Sequence, residues 1–182
     1  MSLIPLDDIK KFCEICDHVH HCWLFHKKLF EDNPRKEVLA KSHAGPALNH
    51  LSVISHEYLI LQIIKLHDEP KSKNKVTLSI KYILNFKELD KLLKDELDEI
   101  QFKLKEFAEK IYPARNKLIA HTDLLASRTN SSMGEFPMGD DIRYFEALQK
   151  FVNLLHGHVF GGPFPFSGLA GNDVDGLLFL IK

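Results

Sequence analysis

Residues 87–112 read KELDKLLKDELDEIQFKLKEFAEKIY, and their rhythm decides the fold. Leu93, Leu97, Ile100, Leu104, Phe107 and Ile111 recur at alternating spacings of four and three, while Lys, Asp and Glu fill most of the other positions. That pattern predicts a long helix, from about Lys87 to Tyr112, with one face docked on other helices. Asp98 and Lys105 fall on the solvated side and need no other role.

Through Pro113 the chain passes into YPARNKLIAHTDLL, residues 112–125. A proline suits the first turn of a helix, where its missing N–H costs nothing. Leu118, Ile119 and Leu125 supply an apolar stripe, and between them sit Arg115, Asn116, Lys117, His121 and Asp123. The group joins a fixed cation, a side chain that titrates near neutral pH and a carboxylate. If the chain does chemistry, this stretch is where it is expected. Beyond it, residues 126–139 lose periodicity and predict a long loop.

Upstream, apolar positions at Ile9, Phe12, Cys16, Val19, Trp23, His26 and Phe30 predict a helix from Asp7 to about Glu31, stopped by Asn33-Pro34. Residues 32–42 read as a polar linker. A helix from His43 or Pro46 to His67 is apolar on most sides, which predicts a place in the middle of a bundle. On it, His50 and His56 are expected to be partly buried and hydrogen-bonded. Asp68-Glu69-Pro70 ends that helix, and KSKNK follows as a charged, solvated turn. Thr77 or Ser79 is expected to cap a short helix, Leu78 to Asn85. Asp140 or Asp141 is expected to cap the last major helix, which runs to about His156. The run HGHVFGGPFPFSGLAGN is rich enough in Gly and Pro to predict irregular structure, with its phenylalanines packed over the bundle. Asn172 or Asp173 then caps a short helix, Val174 to Ile181. No repeat is found, and no period-two run is long enough for a sheet. The expectation is an all-α bundle of five to six helices, one domain with its core at about 7–160 and a tail at 161–182.

Composition narrows the class of function. With 182 residues, 45% apolar and 27% charged, the chain has the make-up of one soluble globular domain. A net charge of −1 provides no general basic field for nucleic acid, so any RNA contact would rest on local cations. The N-terminal MSLIPLDDIKKF has no apolar run of the signal-peptide type, and no stretch approaches the ~20 apolar residues of a membrane span. An odd count of three cysteines fits a reducing compartment. A cytoplasmic protein without a membrane partner is expected.

Cys13, Cys16, His18, His20, His21, Cys22 and His26 crowd the first helix, which suggests zinc. One straight helix cannot gather them, because Cys13/Cys16 and Cys22/His26 lie ~9–15 Å apart along its axis and zinc reaches ligands at ~2.0–2.3 Å. Cys16 is expected in the core and the histidines mostly on the solvated flank. A metal site completed by a second chain stays as a third alternative.

Arg115 and His121 are six residues apart, so on one helix they sit ~9 Å apart along the axis and ~120° apart around it. One copy cannot form a compact pair, whereas a two-fold axis crossing this helix would set two arginines and two histidines around one cleft. Such a cleft suits RNA transesterification. A neutral histidine takes the 2′-OH proton, a histidinium protonates the leaving 5′-oxygen, and the arginines offset charge on the phosphate, with no metal or cofactor needed. The bare spacing is weak evidence, since four arginines and eleven histidines make it common by chance.

At RNKLIAHTD the chain resembles the HEPN superfamily, whose signature is an arginine, a polar residue directly after it and a histidine four to six residues beyond the arginine. Here these are Arg115, Asn116 and His121. WLFHKKLF, YLILQIIKLHD and VTLSIKYIL, in that order before the motif, make it similar to the branch associated with bacterial abortive infection (AbiU2-like), over roughly residues 20–125. The resemblance implies a helical bundle and a metal-independent endoribonuclease built at a homodimer interface. It implies 2′,3′-cyclic phosphate products and a role as a toxin or phage-defence effector with a cognate antitoxin. Arg115, Asn116 and His121 would be catalytic, and Lys110, Lys117 and Asp123 would contact or orient RNA. The alternative is a non-catalytic helical module that binds a nucleotide or a protein.

Overall fold

The computed structural model describes residues 5–72, 75–87, 89–114 and 139–180. Among them the fold is all-α. Helix α1 spans Leu6–His26 and widens into a π-helical turn at Lys27–Glu31. α2 is Lys36–Lys41, α3 Gly45–Leu66, α4 Ile80–Leu84 and α5 Lys91–Ala114. α6 runs Asp140–Phe160 and α7 Leu169–Leu180. The charged turn is closed by a two-residue antiparallel ladder, β1 (Lys71–Ser72) on β2 (Lys75–Val76).

The apolar rhythm of α5 is what docks it. Leu97 and Leu104 are fully buried and Leu93, Ile100, Phe107 and Ile111 nearly so. Asp90 Oδ1 accepts from the Leu93 N–H at 2.9 Å and satisfies one free donor of the first turn. At the other end the helix runs through Pro113 to Ala114, two residues past the expected end. α6 lies antiparallel against it. Lys110 meets Asp140 at one end of the pair, and Asp90 meets His158 at the other. α1 also opposes α6, with Phe12 against Phe151 and Trp23 against Phe145. α3 runs back along α1, Ser55 lying opposite His26 and Leu66 near Lys11 and Glu14.

Four expectations are corrected. The polar linker holds α2, which buries Leu39. It abuts α3 so closely that a Cβ on Gly45 would lie 2.1 Å from the Ala40 carbonyl oxygen. α3 is central only in its second half, where Leu59, Ile60, Ile63, Ile64 and Leu66 are buried, while its first half turns apolar residues outward. The Gly/Pro-rich run is largely regular at its ends, since α6 continues through Gly157 to Phe160 and α7 already starts at Leu169. Gly161, at φ +80°, ends α6 with a left-handed residue. The histidines of α1 divide, His18 being exposed, His20 half-buried against rings and His26 buried.

The stretch between α6 and α7 lacks backbone partners of its own and borrows side-chain amides instead. Gln149 donates to the Phe164 carbonyl at 2.8 Å and accepts from the Phe166 N–H at 2.7 Å. Asn153 accepts from the Phe164 N–H at 3.0 Å, and Asp17 from the Ser167 N–H at 2.6 Å. Phe164 and Phe166 thus lie over the core as expected. α7 is held on by Ala170 and Val174, and Arg35 caps it by donating to the Leu178 carbonyl at 3.0 Å.

Candidate functional site

Of the residues expected to form the site, Lys110 is described; Arg115, Asn116, Lys117, His121 and Asp123 lie outside the described residues, as does nearly all of the 126–139 loop. The described neighbours on either side are Ala114, which ends α5, and Gly139, which precedes α6. The end of α5, the start of α6 and the π-helical turn after α1 converge there.

Lys110 is not a free cation. Its ammonium donates to Asp140 Oδ2 at 2.8 Å, and Arg143 pairs with the other carboxylate oxygen. Hydrogen bonds from Lys110 and Arg143 hold the Asp140 carboxyl below its usual range. Lys103, Glu106 and Ala147 complete a groove of about 200 Å³ around the pair. Its edge is basic, but each of the two cations beside Asp140 is partly offset.

On the opposite side of α6 lies a cleft of about 380 Å³, lined by Trp23, His26, Lys27, His56 and Asp141 over a floor that includes Phe107, Ile111 and Phe145. Trp23 stacks on Phe145 with ring centres 4.5 Å apart and donates its N–H to Asp141 Oδ2 at 2.9 Å. The π turn re-aims Lys27, which reaches Asp141 at 3.6 Å, Glu31 at 3.3 Å and Asp32 at 3.8 Å. Burial works against the charge on Lys27, but Asp141, Glu31 and Asp32 outweigh it and hold the ammonium above its usual range.

His26 is the buried titratable group of this cleft. The Ser55 hydroxyl donates to the Ser52 carbonyl at 3.0 Å, so it must accept from His26 Nδ1–H at 2.7 Å. The imidazole is neutral, because burial, then His56 and Lys27, push its pKa down to about 4. Nε2 therefore carries the lone pair, 3.6 Å from a Glu31 oxygen. His56 is likewise lowered by burial, and its ring lies 5.2 Å from that of His26. His50 is exposed, against expectation.

Sequence reasoning placed Trp23 and His26 on the docked face of α1 but missed this cleft. The partners are 29 to 122 residues apart, and the one local signal was the four-residue step from Lys27 to Glu31. The cysteines behave as packing groups, burial pushing the Cys13 thiol to about 12 and that of Cys16 well above its usual range. Among the described residues no three His, Cys, Asp or Glu side chains gather as a metal site. Nor is any helix there long and apolar enough to cross a membrane.

A model of the family HEPN_AbiU2, described as AbiU2, matches residues 9–178, nearly the whole chain and the motif segment with it. No curated protein and no solved structure matches.

Proposed function

Because the chain belongs to the HEPN AbiU2 family, we propose that it is a metal-independent endoribonuclease acting as a homodimer, in which Arg115 and His121 of each copy face their twins. The observation that carries this reading is the span of the family match, which takes in Arg115, Asn116 and His121. The described ends support it. α5 is an amphipathic helix whose last described turn precedes Arg115 in sequence, and its Lys110 ties it to the start of α6 through Asp140.

In this mechanism one His121 takes the ribose 2′-OH proton and the other gives a proton to the departing 5′-oxygen. The Arg115 guanidinium groups offset the charge growing on the phosphate, and Asn116 donates to one of its oxygens. Asp123 orients a histidine or an arginine, and Lys117 adds to the local field. Lys110, tied to Asp140, contributes less charge than a free lysine and instead joins the end of α5 to the start of α6. The family supports placing such an activity in a toxin or phage-defence role with a cognate antitoxin.

The test is cleavage of single-stranded RNA in EDTA, with 2′,3′-cyclic phosphate ends among the products. His121→Ala should lower the rate by ~10²–10⁴-fold with little change in melting temperature. Cleavage that survives that substitution, or that needs added metal, removes the mechanism.

A second reading is favoured by the net charge of −1 and by the apolar face on the first half of α3. It is a non-catalytic module that binds a nucleotide or a protein. That reading expects no RNA turnover under any condition and binding that outlasts the loss of His121.

A further inference from the structure

α3 is apolar on two opposite sides, and the bundle uses one. Leu59, Ile60, Ile63, Ile64 and Leu66 face the core. At ~100° per residue, Ala47, Leu51 and Ile54 fall on the far side of the same helix, and Tyr58 at its edge, where its hydroxyl shares a hydrogen bond with His18 of α1 at 3.2 Å. There Leu51 is 52% exposed, Ile54 48% and Tyr58 43%, and Ala47 is exposed too. Their spacings are four, three and four, continued by half-buried Leu61, and Lys65 then closes the stripe. A four–three stripe is the seam of a helix pair, not a scatter of surface apolar residues.

The flanking charges say what fits it. His50 and Glu57 stand seven residues apart along one margin of the seam. In an antiparallel pair that margin faces the same margin of the partner, so each His50 meets the partner's Glu57 and each Glu57 meets an imidazole. Leu51 then layers on the partner's Ile54, and Ala47 on the exposed edge of the partner's Tyr58, whose hydroxyl stays with its own His18. Small against large and donor against carboxylate make the face complementary to itself.

We infer that the outer face of α3 binds the same face of a second copy of this chain, as an antiparallel two-fold helix pair. This contact uses none of the residues of the pairing proposed above. Phe107 and Ile111, at the end of α5, pack with Ile60 and Ile63 on the core side of α3.

The experiment is the mass of the full chain in solution, by sedimentation or light scattering, for the wild type and for Leu51→Glu/Ile54→Glu. Both sites are exposed, so the variant should keep its helical circular dichroism. The mass should halve. A wild-type tetramer that becomes a dimer still cutting RNA supports both contacts. A wild-type dimer that becomes a monomer upholds the seam and counts against the paired nuclease motif. His50→Glu alone should also weaken association, and adding Glu57→Lys should restore it, which a general loss of apolar surface would not do. A monomeric wild type, or a mass unchanged in Leu51→Glu/Ile54→Glu, overturns the inference.

Discussion

The buried histidines set how the protein answers to acid. His26 and His67 are both pushed down to about 4, His26 by burial, His56 and Lys27, and His67 by burial and then Lys81. Each is neutral when folded, while in the unfolded chain each titrates near 6.5. Between those values the unfolded state binds more protons, so stability is full above ~6.5 and falls as pH drops toward ~4. The melting temperature should therefore drop by on the order of 10 °C from pH 7 to pH 5, and the drop should shrink in His26→Gln. A flat profile over that window would show that neither ring is held neutral. His67 also shares a hydrogen bond with the fully buried Tyr144 at 3.0 Å, a partner 77 residues away that no local pattern announces. The same distance in sequence hid the link from Trp23 to Asp141 and that from Lys110 to Asp140, so the surroundings of the candidate site were the least legible part of the chain.

Helices were legible in proportion to how one-sided they are. α5 shows a single apolar stripe against a mostly charged remainder, and every residue of that stripe is buried. Its start is set by Asp90, whose carboxylate holds the Leu93 N–H. Asp90→Ala should cost ~1 kcal/mol in urea unfolding, and an unchanged midpoint would mean the first turn is held by packing alone. α3 misled because apolar content shows that a face wants cover without showing what covers it. α2 was hidden by its length, six residues being too few for a period to stand out. The 156–172 run misled through composition. Gly157 sits inside α6 and Gly171 inside α7, and between the two helices the Gln149 amide holds the backbone at Phe164 and Phe166.

At the scale of the molecule, α1 is the shared wall. It touches α3 through His26 and Ser55, α6 through Phe12 and Trp23, and the tail through Asp17. The family match from 9 to 178 begins within it and ends in the helix that closes over it. On the two proposals above, His121→Ala should remove activity and the α3 substitutions assembly, each without the other. Trp23 has a further use, because the chain holds one tryptophan, and that indole is stacked and hydrogen-bonded where α1 meets the start of α6. Its fluorescence is a lamp fixed at that one corner. Denaturant should shift the emission to longer wavelength in step with the loss of far-ultraviolet ellipticity. A spectral change that runs ahead of the ellipticity would mean that this corner opens while the remaining helices stand.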